Sequence, residues 1–278
     1  MTYDVLVIGG GPAGLSGAVA LGRALRSVLV IDSGQGRNAP AEGIHNFLTR
    51  DGMSPAEFRA AGRAEVEKYG GKVIEGEVVS AVPGFEVTLA DGSVHRARRL
   101  LVTAGAVDLL PDVPGLAEGW GTTVLHCPYC HGYEVRGKAI GVIGTPGEEQ
   151  TEHKMRLWGQ WTPDLRLLPL DEIAAVEKDG VRMTDGSLVA RDYLVVSTRV
   201  EARAAFLGTL GLEAVEHPMG IGTIVPAIDP TGRTAVDGVW VAGNVADPMA
   251  QVISAAAAGL AAGAMINADL LPPAPDKP

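Results

Sequence analysis

The sequence predicts an α/β protein made of two Rossmann-like three-layer domains, the first discontinuous and the second inserted into it. Three observations predict this. The chain opens as strand, glycine-rich turn, helix and strand, the start of a doubly wound sheet. The run from Val87 to Gly105 (VTLADGSVHRARRLLVTAG) is echoed by the run from Val181 to Arg199 (VRMTDGSLVARDYLVVSTR), so one supersecondary unit occurs twice. The composition, 46% hydrophobic with 37 glycines but only 5% aromatic, suits parallel strands covered by helices on both faces.

Asp4 to Ile8 reads as a buried strand, Gly9 to Gly14 as a turn, Leu15 to Arg26 as a helix and Ser27 to Asp32 as a second buried strand. Gly34 to Asp51 is rich in Gly, Asn and Pro and reads as loop. Ser54 with Glu57 forms a capping box for a helix running to about Tyr69, before Gly70 and Gly71. Alternating strands follow from Lys72 to Arg96, with a hairpin turn at Asp91-Gly92 and a further strand over Leu100 to Gly105. Pro111 to Gly121 looks like a crossover between domains. The inserted unit then offers a strand at Lys138 to Gly144, a helix at Glu148 to Trp161, a strand at Asp164 to Leu168 and the repeated hairpin. The expected division is 1–116 with 226–278 for the first domain and 117–225 for the second.

A formal net charge of −10 argues against nucleic acid or an anionic membrane as the main partner. Met1 leads into the apolar run Val5 to Ile8 without a basic leader region, so a reducing, cytoplasmic location is expected. The uncharged stretch Met249 to Asn267 is long enough to cross a bilayer, but Ala and Gly dominate it, and it reads as a buried, tightly packed helix.

Gly9-x-Gly11-x-x-Gly14 is a weak motif alone and a strong one between a strand and a helix, with Asp32 closing the next strand. The first glycine makes the turn, the second lets backbone N–H groups reach a pyrophosphate, and the third lets the helix pack closely. The helix N-terminus supplies positive charge, and Asp32 can accept from ribose hydroxyls.

The chain has 2 cysteines, and both stand in Cys127-Pro-Tyr-Cys130, followed at once by His131. Such a pair serves dithiol/disulfide exchange, half a metal site or haem attachment as C-x-x-C-H. Haem attachment requires an exported protein, and zinc requires a second ligand pair that the chain does not offer, so no metal is expected. In a reducing compartment a lone C-x-x-C points to redox catalysis.

These motifs, with Thr103-Ala104-Gly105 and the run Gly238-Val-Trp-Val-Ala-Gly-Asn-Val-Ala-Asp247 with Gln251, resemble over nearly the full length the low-molecular-weight thioredoxin reductases of the FAD-dependent pyridine nucleotide-disulfide oxidoreductases. A finer resemblance, carried by Cys-Pro-Tyr-Cys-His-Gly-Tyr-Glu from Cys127, by Asp32-Ser33-Gly34 with Arg37-Asn38-Ala39, and by His45-Asn46-Phe47, is to the dithiol oxidases that close disulfides in small natural products of the gliotoxin and holomycin kind.

The resemblance implies FAD, held by Gly9, Gly11, Pro12, Ala13, Gly14, Asp32, Ser33, Gly34, Arg37, Asn38, His45, Asn46, Val79, Thr103, Ala104, Gly105, Gly243, Asn244, Gln251 and Val252. Asn244 stands where the family usually carries Asp; a short amide still bonds a ribitol hydroxyl. Cys130 would then exchange electrons with the flavin, and Cys127 would meet the substrate sulfur. His131, where thioredoxin reductases carry an acid, suits deprotonation of an incoming thiol and stabilisation of a thiolate. His126 is a second candidate on the other side of the motif. A homodimer is implied as well.

The second domain departs from the family's pattern. After Ile143-Gly144 comes Thr145-Pro146-Gly147-Glu148-Glu149, so a proline without an N–H takes the place of the second glycine and two carboxylates precede the helix. The basic cluster that grips the 2′-phosphate of NADPH is replaced by Leu167 to Glu172. NAD(P)H is therefore not expected to bind, and O₂ is the expected electron acceptor for a small-molecule dithiol substrate. An NAD(P)H-driven reductase of thioredoxin or of a small disulfide is the alternative, and a redox-sensing module a third. Phe47, Tyr129, Tyr133, Trp158 and Trp161 are candidates for an aromatic substrate pocket, with the tryptophans better read as core or interface.

Overall fold

A computed structural model describes residues 1–272. They form two compact units. The first combines Met1–Arg37, Ala56–Val107 and residues 200–272; the second combines Asn38–Pro55 with Asp108–Arg199.

In the first unit, β1 (Thr2–Ile8), α1 (Pro12–Arg23), β2 (Val28–Asp32), α2 (Pro55–Lys68), β3 (Lys72–Glu75), β4 (Val78–Val82), β5 (Glu86–Leu89) and β6 (Val94–Val102) follow in order. The strands form one sheet in the order β3-β2-β1-β6-β5-β4, and Val239–Val241 adds a seventh strand parallel to β6. β1, β2, β3 and β6 run parallel, whereas β4 and β5 form an antiparallel ribbon. Side chains alternate across a strand, so Leu6, Leu29 and Leu100 pack into one core and Val5, Val28 and Leu101 into the other. Burial on both faces explains why these strands read as unbroken apolar runs.

The strand expected at Leu100 is the second half of β6. No breaker separates Val94 from Val102, so the chain leaves the Asp91-Gly92 turn, pairs antiparallel with β5 and continues alongside β1.

The sequence division at 225/226 differs from the structure. Ala204, Leu207, Leu210, Leu212 and Val225 are buried in the same core as Leu6, Val87 and Val239, and this apolar set draws the segment from Val200 into the first unit.

The C-terminal helix Val252–Asp269 is, by length and composition, apolar enough to cross a bilayer. It is buried along one stripe rather than all round. Ala255, Gly259, Ala262, Gly263 and Ile266 are buried, whereas Ile253, Leu260 and Met265 are exposed. The buried stripe lies on α1 at van der Waals closeness. A Cβ on Gly259 would overlap the Ala13 carbonyl, and one on Gly263 would come 2.8 Å from the Gly17 oxygen.

The second unit has a parallel sheet of Leu165–Pro169, Ile140–Gly144, Tyr193–Val195 and Val124–Leu125, in that spatial order. Ile173–Glu177, Gly180–Met183 and Leu188–Val189 form a separate antiparallel sheet. The repeated hairpin is thus used differently here, because its return strand is split. Arg191 and Asp192 lie in the break: Asp192 Oδ2 accepts from Ala139 N at 3.0 Å, and Arg191 pairs with Asp164 at 2.5 Å.

Gly259→Ala should destabilise the protein by about 1–3 kcal/mol through overpacking against α1, despite alanine's better helix propensity. Gly208→Ala, whose Cβ meets nothing within 4 Å, should leave stability nearly unchanged. Urea unfolding of both variants checks the contrast.

Candidate functional site

Gly9 has φ 109° and a Cβ there would overlap the Thr103 carbonyl, so the turn after β1 needs glycine on both counts. Gly14, inside α1, has no room for a side chain because a Cβ would overlap Gly9 O. Thr103 fixes the same turn, its hydroxyl donating to Gly9 O at 2.8 Å and Ile8 O at 3.0 Å. Gly11, the N-cap residue before Pro12, is different: a Cβ there meets nothing within 4 Å. The third glycine is fixed by helix packing, while the second faces open space over a helix start. That is the cradle a pyrophosphate requires, and the residues present fit a dinucleotide.

Around this turn stand most of the residues expected to hold the flavin. Ala13 is buried against Gly243, whose Cβ would lie 3.0 Å from that of Ala13. Ala104 and Gly105, the latter with φ 74°, follow Thr103. Asn244 Nδ2 donates to the Asp247 and Ala250 carbonyls, both at 3.0 Å, which ties down the turn before the C-terminal helix. A carboxylate could not donate those bonds; the Oδ1 remains the acceptor side of the amide. Gln251 is the N-cap of that helix and Val252 its first residue. Arg37 Nη1 reaches the Pro248 carbonyl at 2.6 Å. Val79 is half exposed on β4.

Asp32 is buried at the end of β2 and is not isolated. Its Oδ1 accepts from Gly34 N at 3.2 Å, and its Oδ2 accepts from Arg63 Nη2 at 2.6 Å. The sequence reading missed Arg63. Its partner lies 31 residues away, and only the helical spacing with Arg59, which reaches Gly34 O at 3.2 Å, marks that face of α2 as turned toward the β2 loop. Ser33 lies on that loop.

Asn38, His45 and Asn46, expected among the flavin contacts, fold with the second unit beside the cysteine motif. A bridge between Ile44 and Met53 closes this segment, and Ile44 is buried. Asn46 sits in the left-handed region at φ 62°, a conformation that asparagine tolerates. Its backbone N donates to Asp51 at 2.9 Å, and its Nδ2 donates at 2.7 Å to the Tyr129 carbonyl between the two cysteines.

Cys127 is the N-cap of the one-turn helix Pro128–His131, with Pro128 at its first position, as a fixed φ favours. Both sulfur-bearing residues are half-buried. Beneath the helix, Trp161 packs on Gly132, and Tyr129 meets Trp161 edge-on with ring centroids 6.2 Å apart. Trp158 is fully buried, in keeping with its core assignment, whereas Tyr129 and Tyr133 are exposed beside the cysteines. His126 Nδ1 lies 3.3 Å from the Val196 carbonyl. Burial pushes the His131 pKa below the ordinary imidazole value, with the neighbouring His45 adding to that, while the Glu134 and Glu42 carboxylates oppose it.

The expected second nucleotide site is acidic and partly filled. Thr151 Oγ1 crowds Gly144, where a Cβ could not fit, and itself donates to Glu148 at 3.3 Å. Glu148 is the N-cap of helix Glu149–Trp158, with Glu149 and Glu152 in its first turn. A cavity of about 390 Å³ lies between Thr145, Pro146, Pro169, Leu170, Asp171 and Glu172. Burial disfavours the ammonium of Lys154 on the same helix. Among the described residues, no group of three or more His, Cys, Asp or Glu side chains is placed to hold a metal ion.

A fold with one glycine cradle and one C-x-x-C in separate nucleotide-type units defines a disulfide oxidoreductase. The chain belongs to the pyridine nucleotide-disulphide oxidoreductase family, which it matches over residues 3–145. It is 32% identical to thioredoxin reductase tcpT of Claviceps purpurea (strain 20.1), over 96% of this chain and 94% of that protein. It is also 32% identical to thioredoxin reductase sirT of Leptosphaeria maculans, over 95% and 93%. Among solved structures, HlmI superposes with a TM-score of 0.87 at 37% identity, covering 97% of this chain and 92% of that one. An oxidoreductase from Agrobacterium tumefaciens superposes at 0.90 with 32% identity, covering 98% and 100%. The family implies FAD.

Arg63→Met should cost about 1–3 kcal/mol of stability, because it leaves the buried Asp32 carboxylate with a single donor. Adding Asp32→Asn in the same chain should recover part of the loss, as read from urea midpoints.

Proposed function

We propose that this chain oxidises a small-molecule dithiol to its disulfide through Cys127 and Cys130, with FAD as cofactor and O₂ as acceptor. The observation that carries this reading is the second nucleotide site. Pro146 supplies no N–H, and Glu148 and Glu149 put like charge where a pyrophosphate would lie, with Asp171 and Glu172 across the cavity. These residues do not fit NAD(P)H, so the electrons leave by another route. The resemblance to gliotoxin- and holomycin-type dithiol oxidases supports the same reading. The relatives named thioredoxin reductase support the alternative, an NAD(P)H-driven reductase of a thioredoxin-like protein or small disulfide.

In this reading a substrate thiol gives its proton to His131, which burial keeps neutral near pH 7 and therefore able to accept it. The resulting thiolate attacks Cys127 Sγ of the enzyme disulfide, and the bonding pair leaves on Cys130. The second substrate thiol then displaces Cys127, so the product departs as a disulfide and the enzyme is left as a dithiol. Bound FAD would supply the acceptor for the two electrons of that dithiol, and O₂ would take them on as hydrogen peroxide. Tyr129 and Tyr133 offer exposed aromatic surface next to the exchange sulfur for an apolar substrate. The reading extends to a cytoplasmic homodimer, supported by the resemblance and by the exposed Ile253, Leu260 and Met265 of the C-terminal helix.

Anaerobic flavin spectra test the proposal. Dithiothreitol should bleach the purified yellow protein, NADPH should not, and air should restore the colour with release of peroxide. Prompt bleaching by NADPH would establish the reductase instead. Cys127→Ser and Cys130→Ser should each keep the flavin and lose at least about 99% of dithiol turnover, since a single cysteine cannot complete the exchange.

A further inference from the structure

His131 has a built electrostatic surrounding drawn from two parts of the chain. Glu134 follows it by one turn, its backbone N donating to the His131 carbonyl at 3.1 Å. Glu134 Oε1 lies 3.6 Å from His45 Nε2, and the other ring nitrogen of His45, Nδ1, lies 3.5 Å from Asp51 Oδ2. His45 is therefore set between two carboxylates, one from each side of the second unit. Its side chain is 21% exposed and that of Glu134 45%, so the pair is shielded from water on the His45 side alone. The backbone of this segment is fixed next to the cysteine helix by the bond from Asn46 to the Tyr129 carbonyl, at 2.7 Å. The charged and titratable groups that act on His131 are Glu134 from its own turn and His45 and Glu42 from the 38–55 segment, with Cys130 in the same helix and Cys127 at its N-cap.

We propose that Glu134 and His45 are positioning residues of opposite effect that set when His131 holds a proton. This rests on the dithiol reading of the cysteine site. When the S–H bond of an incoming thiol breaks, the proton passes to an imidazole nitrogen of His131 and the electron pair stays on sulfur for attack on the enzyme disulfide. The imidazolium so formed is favoured by the Glu134 carboxylate. His45, 3.6 Å from the same carboxylate, competes with His131 for Glu134 and offsets that attraction, so the proton is held briefly and returned. The two residues lie outside the sulfur chemistry and act only through His131, and their removal therefore has opposite consequences.

The test uses the flavin-loaded enzyme. The titration of His131 is followed by NMR of ¹³C-labelled histidine, with the signal assigned by its loss in His131→Gln. In parallel, the initial rate of dithiothreitol oxidation is recorded against pH. Removing the Glu134 charge disfavours the imidazolium, so Glu134→Gln should move the His131 midpoint and the acid limb of the rate profile to lower pH. Removing the imidazole that competes for Glu134 does the reverse, so His45→Gln should move both to higher pH. Glu134→Asp, which keeps the charge, should return the midpoint toward that of the unsubstituted enzyme. Shifts in one direction for both glutamine variants, or none for either, would overturn the proposal. If the midpoints move as expected but dithiothreitol is not oxidised in air, the pair stands and the oxidase reading falls.

Discussion

The close approach of α1 to the C-terminal helix and to the turn after β1 is the constraint on which the first unit depends. Backbone oxygens of Gly9, Ala13 and Gly17 occupy the space where side chains of Gly14, Gly259 and Gly263 would stand. The contact gains its stability from packed backbone rather than from large side chains, and it tolerates no added methyl group without displacement. The same closeness shapes the chemistry. It pins the glycine turn against Thr103 and brings Gly243 onto Ala13, while Gly11, whose side of the turn is unconstrained, keeps its face open. Tight packing at two of the three motif glycines is what leaves a cradle at the other.

The second unit uses a related scaffold to different ends. Its parallel sheet ends in a turn that supplies a proline and carboxylates where the first unit supplies glycines. Its chemistry has moved to the one-turn helix Pro128–His131, where two half-buried sulfurs stand over a tryptophan layer beside a half-buried imidazole. Burial favours the neutral base at His131, whereas the nearby carboxylates favour the cation. That balance between desolvation and opposed charges is how a thiol base can be kept ready near neutral pH.

Much of this was legible from local pattern. The strand–turn–helix start, the Asp91-Gly92 hairpin and the paired cysteines are written in short spacings, and each has one physical solution at short range. Long-range partnerships were not. The bond between Asn46 and Tyr129 spans 83 residues, and that between Arg63 and Asp32 spans 31, so no periodicity announces either. The segment 38–55 is full of turn residues and reads as loop. It is tied to the cysteine helix by the side-chain amide of the left-handed Asn46 and joined to the residues just after it by the contact of His45 with Glu134. The end of the inserted unit was placed too late because the residues after Val200 are short apolar turns without a strong period, and their destination is set by the core they fill. The C-terminal helix was read as buried and tightly packed because Ala and Gly dominate its sequence; the packing holds along one stripe, which composition does not distinguish from a full circumference.

The seventh strand of the first sheet, Val239–Val241, adds to Leu100–Val102, and the helix that follows it covers α1. As a ribosome extends the chain, β1, β2 and β6 therefore emerge long before the strand that pairs with β6 and the helix that packs on α1. Holding such distant segments together costs little at equilibrium, since each doubling of a loop adds only about 0.6 kcal/mol. In time the cost is larger, because non-local pairings must await their partners and apolar strands stay exposed meanwhile. Synthesis of this protein thus passes through a stage in which its most apolar strands lack their last partners.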